Sequence, residues 1–228
     1  PAVVRVSVPV DDLPAALDGF SIVQLTDVHV GPTIRGEWLE RVVAEANSLG
    51  ADMACVTGDL VDGSVDALRD EIRHIGDLRA PHGTYFVTGN HEYYSGAEAW
   101  CEHLQSLGLD VLLNEHRDIE VEGARLVVGG VTDVWAGVRI PVHASDPIGT
   151  FERTGPADVK VLLAHQPRSV FDAAKAGWDV MLSAHTHGGQ YFPMSLFIHL
   201  FQPYVAGLHL HEKTWLYVSR GTGYWGPP

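Results

Sequence analysis

Five short blocks in the chain carry side chains that bind metals and move protons. They are Asp27-Val28-His29, Gly58-Asp59 with Asp62 three places on, Gly89-Asn90-His91-Glu92, the lone His165, and Ala184-His185-Thr186-His187. Carboxylate and imidazole ligands without a thiolate suit Mn, Fe, Zn or Ni rather than Ca or an iron–sulfur cluster. Asp27 and His29 stand at i and i+2, so in extended backbone they point to one side; His185 and His187 repeat that spacing. Two such pairs, with single ligands between them, exceed what one tetrahedral ion can use. The number points to two ions sharing a carboxylate. Ions about 3.5–4 Å apart can generate a hydroxide and stabilise in-line displacement at phosphorus.

Each block follows an element able to position it. Phe20–Thr26, Ala51–Thr57 and Thr84–Thr88 are short, apolar and β-branched, and read as buried strands. Between them, Trp38, Leu39, Val42, Val43, Ala46 and Leu49 step at helical spacing up to Gly50, as do Val65, Leu68, Ile72 and Ile75. A third helix runs through Trp100, Leu104 and Leu107. Alternating strands and helices predict a layered α/β domain with a parallel sheet. Asp118–Glu122 and Arg125–Gly129 flank Gly123-Ala124 as a hairpin, so antiparallel strands are expected from there. Val159–Ala164, a helix near Ser169–Ala176, Asp179–Ser183 and Trp215–Ser219 complete the elements. Ligand crevices in open α/β sheets lie outside the carboxyl ends of strands, where all five blocks stand.

The blocks D-x-H, G-D-x-x-D, G-N-H-E, H and A-H-x-H, in that order, resemble the calcineurin-like metallophosphoesterases. The resemblance covers about 160 residues, and five blocks in order at strand ends outweigh any one of them. Gly188-Gly189-Gln190, Pro203-Tyr204 and Val218-Ser219-Arg220-Gly221-Thr222-Gly223 are similar to a bacterial branch whose members often carry membrane segments or export signals. Ala184 departs from the family glycine, and alanine does not enter positive φ cheaply. The resemblance implies an αββα sandwich of two facing mixed sheets flanked by helices. It also implies two divalent ions, with Mn the first expectation and Fe, Zn or Ni the others. Asp27, His29, Asp59 and His187 would hold one ion; Asp59 would bridge to the second, completed by Asn90, His165 and His185. His91 would face the scissile phosphate as hydrogen-bond or proton donor, Asp62 would orient it, and a bridging hydroxide would be the nucleophile. Glu92 is expected to support this set rather than join it.

Composition narrows the partners. The chain has 228 residues, 46% of them hydrophobic, with 29 acidic against 15 basic residues and a net charge of −14. That excludes a disordered chain and disfavours long nucleic acid, which needs a basic surface. No obligate protein partner is implied. An ion pair with its carboxylates and hydroxide carries about one net positive charge, so the site can hold a phosphodiester anion locally. Arg35, Arg139, Arg168 and Arg220 lie near loops and could touch further phosphate, although each alone reads as an ordinary surface arginine. Cys55 and Cys101 form no C-x-x-C pair and read as free thiols near the core. His74, His82, His103, His116, His143, His199, His209 and His211 stand outside any motif, and Trp38 and Trp100 read as packing.

Tyr191–Phe201 (YFPMSLFIHLF) is apolar except for Ser195 and His199. It reads as a buried helix or loop; the sharper alternative is an apolar wall beside the metals that touches a lipid substrate or a membrane surface. No apolar run approaches the ~20 residues that span a bilayer. Residues 1–228 are expected to form a single domain, a segment of a longer bacterial protein that is membrane-associated. The expected activity is hydrolysis of a phosphodiester or pyrophosphate, on a lipid-linked substrate in the sharper form. Cyclic-nucleotide, nucleotide or phosphomonoester hydrolysis is the alternative, and a catalytically silent scaffold ranks below both.

Overall fold

The computed structural model describes residues 2–190, 198 and 202–226. Four strands, β1 (Ile22–Leu25), β2 (Met53–Thr57), β3 (Thr84–Val87) and β4 (Asp110–Val111), form one sheet in that order, and every pairing in it is parallel. A second sheet contains β5 (Glu115–Val121), β6 (Ala124–Gly130), β7 (Val159–Leu163), β8 (Val180–Ser183), β9 (Gly207–His211) and β10 (Thr214–Val218), in the order β5-β6-β7-β8-β10-β9. This second sheet is the mixed one. Its four central strands run parallel, with antiparallel β5 and β9 at the edges.

Alternation along the strands builds three apolar layers. Met53 and Cys55 of β2 point inward, with Tyr85 and Val87, to meet Leu126, Val128, Val161, Leu163 and Leu182 from the other sheet. Ala54, Val56 and Phe86 point outward beneath α1 (Gly36–Ser48), α2 (Val65–Ile72) and α4 (Ala97–Ser106), which contribute Leu39, Val43, Leu68, Ile72, Trp100 and Leu104. Val127, Leu162, Met181 and Leu216 face the opposite way and are covered by Val170 and Ala173 of α7 (Val170–Ala176) and by Trp178. Every inner strand thus has both faces buried, which suits parallel strands rich in Val and Leu. The order helix, sheet, sheet, helix is the sandwich that the resemblance implies. Trp100 is fully buried and Trp38 partly so, both as packing, and both cysteines are free and buried.

Several local expectations shift. The hairpin turn is Glu122-Gly123, both at positive φ, not Gly123-Ala124; the favoured two-residue turn needs left-handed backbone at both positions. Asn90 does not prolong a strand end but begins the short helix α3 (Asn90–Ser95). Two further short helices, α5 (Ala136–Arg139) and α6 (Pro147–Glu152), follow β6. The expectation for residues 191–201 lies outside the described residues apart from Ile198, which is part-buried. No described helix is long and apolar enough to cross a membrane.

Strand pairing continues beyond the strands into the loops that carry the five blocks. The amides of Asp27, His29 and Val30 donate to the carbonyls of Gly58, Asp59 and Leu60 at 3.0, 3.1 and 2.9 Å. In the other sheet, the Ala184 amide donates to the His165 carbonyl at 2.9 Å. These ladders hold the loops in register at the carboxyl ends of the strands.

Candidate metal centre

The structure brings all nine sequence-selected residues to one place, where the carboxyl ends of the two sheets meet. Two clusters stand out, each with its ligand atoms within 4.8 Å of one another: Asp27, His29 and His187, and Asp59, His165 and His185. Each draws on both sheets. In the first, His187 Nε2 lies 3.3 Å from Asp27 Oδ1 and 3.1 Å from His29 Nε2. In the second, His165 Nε2 lies 3.1 Å from Asp59 Oδ2 and 3.2 Å from His185 Nδ1. Asp59 Oδ2 is also 4.0 Å from His29 Nε2, so one carboxylate oxygen stands between the clusters. Facing ring nitrogens at these separations need a proton or a cation between them.

The pairs at i and i+2 reach the centre differently from the extended geometry expected for them. Asp27, His29, Asp59, His185 and His187 all have φ between 47° and 67°, the left-handed region. Asp and His tolerate that region better than bulkier side chains, but each such residue still costs on the order of 1 kcal/mol. Asp27 and His29 still share a cluster. His185 and His187 do not, because the turn between them sends one ring to each side. Ala184 is fully buried and is not among the positive-φ residues, so its replacement of glycine does not strain the backbone.

The second atoms of the ligating groups are tied down. His165 Nδ1 donates to the Thr57 carbonyl at 2.8 Å, which turns Nε2 toward Asp59. His29 Nδ1 donates to Asp62 Oδ1 at 3.0 Å and frees its Nε2. Asp27 Oδ2 accepts from the Thr26 hydroxyl at 2.8 Å and the His185 amide at 3.2 Å. Asp27 Oδ1 and Asn90 Oδ1 are buried without a hydrogen-bond partner. Buried acceptors are rarely left so, and the two unpaired oxygens with the facing imidazoles fit divalent cations.

His91 sits beside the clusters, its Nε2 4.0 Å from Asp59 Oδ2 and its Nδ1 donating to Asp62 Oδ1 at 2.6 Å. Burial works against charge on this ring, but the bond to Asp62 and the charge of Asp59 prevail and raise its pKa. Asp62 therefore receives two imidazoles, where sequence reasoning gave it only His91. Burial favours its neutral form, yet the bonds from His29 and His91 outweigh this and hold its pKa at about 2. Glu92 is fully buried and is not within the clusters. Its carboxylate accepts the amides of Gly89, Asp59 and Leu60 at 2.6, 2.9 and 2.8 Å, which clamps two strand ends together. Burial, and then the Asp59 charge, push its pKa up to about 7. Gly58 and Gly89 permit this approach: a Cβ on Gly89 would strike the Asp59 carboxylate, and one on Gly58 would lie 2.8 Å from His165 Nδ1.

Sequence reasoning missed a second set of supports. Thr222 and Gly223 bond to the backbone carbonyls of Thr26 and Asp27 at 2.7 and 3.0 Å, seating the first ligand loop. Gln190 donates to the Trp225 carbonyl at 2.9 Å and accepts its amide at 3.3 Å, which fastens the loop beyond β10. Trp225 and Tyr94 flank His91 with ring centroids 6.0 and 5.3 Å away. Beside them opens a depression of about 390 Å³ lined by Asp62, Gly63, Ser64, His91, Tyr94 and Ser95. The aromatic character of residues 224–225 next to a glycine-rich loop was the available signal.

Residues 20–189 match the calcineurin-like phosphoesterase family. A protein of Bos taurus named transmembrane protein with metallophosphoesterase domain is 39% identical over 239 residues, covering 100% of this chain and 54% of that protein. An uncharacterized metallophosphoesterase of Helicobacter pylori is 38% identical over 211 residues, 92% of this chain and 56% of its own length. The chain therefore spans about half the length of these relatives. In fold it is similar to the Haemophilus influenzae NAD nucleotidase, with a TM-score of 0.60 at 16% identity over 90% of this chain and 45% of that one. A 5′-nucleotidase precursor from Thermus thermophilus gives 0.57 at 15% identity, over 90% and 49%. With its sandwich fold and its carboxylate–imidazole clusters at the strand ends, the chain belongs to the calcineurin-like phosphoesterases, a family of metal-dependent phosphoester hydrolases.

Proposed function

We propose that this domain cleaves a phosphodiester or pyrophosphate with two divalent ions. The observation that carries the reading is the position of Asp59 Oδ2, between two imidazole clusters and 4.0 Å from a histidine held by its own carboxylate. Asp27, His29, Asp59 and His187 would hold one ion, and Asp59, Asn90, His165 and His185 the other. When bound, such a pair supplies Lewis acidity toward the phosphoryl oxygens and lowers the pKa of water. Manganese is the metal we would try first.

The chain's own groups do the rest. Asp62 accepts the Nδ1 proton of His91 in a hydrogen bond and turns Nε2 toward the centre, and this bond, with the Asp59 charge, raises the pKa of the ring as a proton donor requires. As the water oxygen bonds to phosphorus and the bond to the leaving oxygen breaks, His91 gives that oxygen its proton, and a proton from water restores the ring. Asp59 and Glu92 hold the strand ends so that these groups keep their spacing. Nothing in this sequence of events requires a covalent enzyme intermediate.

The sharper form of the proposal is a lipid-linked substrate in a membrane-associated bacterial protein, with residues 1–228 as one domain of it. Relatives from Danio rerio and Bos taurus named transmembrane proteins, of which this chain matches about half, favour the membrane association alone. Nucleotide or phosphomonoester hydrolysis is the second reading, supported by fold likeness to nucleotidases. A silent scaffold ranks last, because all seven ligand positions are filled and His91, which is no ligand, has no purpose in one. The test is turnover of bis-p-nitrophenyl phosphate and p-nitrophenyl phosphate by chelator-stripped protein, with and without Mn²⁺. Metal-restored turnover favouring the diester is expected, a monoester preference moves the reading to phosphatases, and no turnover by folded, loaded protein overturns it.

A further inference from the structure

On the second-sheet side of the centre, the loops of this acidic chain are almost free of acids. Arg35, Arg69, Arg117, Arg125, Arg153 and Lys175 each pair with a carboxylate. Arg139, Arg168 and Arg220 are exposed and, like Arg5, Arg41, Arg73, Arg79, Lys160 and Lys213, form no ion pair among the described residues; what sets them apart is their place after strand ends. All three follow carboxyl ends of second-sheet strands: Arg139 closes α5 after β6, Arg168 lies three residues past His165, and Arg220 lies two past β10. The only acid on residues 131–140, 164–169, 184–190 and 219–226 is Asp133, which is buried and bonded by Gln166 and the Trp135 amide. In a chain of net charge −14, that is a local concentration of unneutralised cations.

Contacts place Arg139 and Arg220 beside the centre, and Arg168 beside the helix that carries Arg139. The Arg139 guanidinium carbon lies 5.2 Å from the centroid of Tyr94, the ring that flanks His91. Arg168 lies 5.7 Å from the centroid of Trp135, which begins α5. Arg220 packs on Gly188, next to His187, and its neighbour Gly221 adjoins the Asp27 and His187 side chains. Two aromatic faces thus orient planar, permanently charged forks that match phosphate oxygens.

We infer that Arg139, Arg168 and Arg220 form a collar that binds a second phosphate carried by the same substrate, so that the preferred substrate class is an organic diphosphate. The inference rests on the phosphoester reading above and deepens it: a simple phosphodiester brings one charge and leaves the collar unused. Cleavage of the P–O–P link by one water yields two phosphomonoesters, so charge develops on both products, and the collar holds the one that departs.

The test is calorimetric binding to Mn²⁺-loaded protein at fixed free Mn²⁺, with methylenediphosphonate and methylphosphonate as probes. Wild type is expected to bind the diphosphonate at least tenfold more tightly. The triple variant Arg139→Gln/Arg168→Gln/Arg220→Gln should lose most of that preference, on the order of tenfold or more, since charge-assisted hydrogen bonds are at stake. Arg41→Gln/Arg79→Gln, with charges removed away from the strand ends, should keep it. Circular dichroism and Mn²⁺ affinity check that the variants are folded and loaded. An undiminished preference in the triple variant, or none in wild type, overturns the collar. Because binding is read without turnover, failure of hydrolysis and failure of the collar are separate results.

Discussion

Replacing Asp62 by asparagine separates two duties that meet on one oxygen. Asp62 Oδ1 accepts from His29 at 3.0 Å and from His91 at 2.6 Å. The fall of its pKa from the ordinary 3.8 to about 2 corresponds to ~2 kcal/mol of interaction with the two rings, less once solvent screening of a part-exposed carboxylate is allowed for. Shared between them, that is ~1 kcal/mol each, or roughly five- to tenfold on each process. Asparagine keeps the shape and an acceptor oxygen but removes the charge, so Asp62→Asn should weaken Mn²⁺ binding about tenfold through His29 and lower kcat at saturating metal by about tenfold through His91. His91→Ala should behave differently, with kcat falling by ~10²-fold or more and apparent Mn²⁺ affinity unchanged within twofold. The loss in His91→Ala should grow along a series of diesters with increasingly basic leaving groups, because those depend most on the donated proton. The assay is initial rates against Mn²⁺ concentration for each variant and ester. If Asp62→Asn lowers kcat but leaves metal affinity intact, the His29 half of the argument is wrong; if it changes neither, both halves are.

Other consequences of the geometry are as direct. Glu92→Gln sets an amide N–H₂ against at least one of the three backbone amides now accepted by the carboxylate, so it should cost about 2–3 kcal/mol in thermal or urea unfolding and lower kcat by displacing Asp59. Mn²⁺ at 100 times its Kd should stabilise the chelated protein by about 2.7 kcal/mol for each ion bound, a rise in Tm of roughly 5–10 °C per ion, whereas equal melting with chelator would deny the site any ion. His165 is fully buried, which opposes its charge, yet Asp59 beside it holds its pKa well above the usual value. Its Nε2 must shed that proton before it can ligate, so Mn²⁺ affinity should rise from pH 6 to pH 8, with proton release visible as a buffer-dependent binding enthalpy. Ala184→Gly, which restores the family residue at a fully buried position outside the positive-φ region, should destabilise by about 1–2 kcal/mol and leave kcat unchanged.

The chemistry of this chain is legible in its sequence because strands bury and strand ends do not. Ile22–Leu25 and Met53–Thr57 advertise themselves by apolar, β-branched side chains, and the positions just past each strand are free to be Asp or His. The same logic made α1 plain, since Leu39, Val42, Val43 and Ala46 repeat at its period. Backbone handedness was hidden: nothing in D-V-H or H-T-H states that their acidic and imidazole residues adopt positive φ, and the division of His185 from His187 between the clusters came from the family resemblance, not from their spacing. Long-range pairing was hidden too. The link from Gln190 to Trp225 spans 35 residues, and the double service of Asp62 needs His29 and His91 to converge. β9 went unnoticed because its alternation, Gly-Leu-His-Leu-His, lies on an edge where neither face is deeply buried.

Each cluster borrows from both sheets, and this has a consequence for timing. Asp27 and His29 emerge early in synthesis, whereas His187, which completes their cluster, follows roughly 160 residues later, on the order of 10–30 s of translation. Asp59 likewise waits for His165 and His185. A nascent chain that has made only the first sheet can offer an ion little more than a few carboxylates and one or two imidazoles, a set that any abundant divalent cation could visit and leave. The full sets exist only after the second sheet has docked and the inter-sheet core has closed. Ions held as proposed would therefore be chosen by a finished cavity, where spacing and ligand type can discriminate between metals, and a captured pair would rivet the two layers together across the seam.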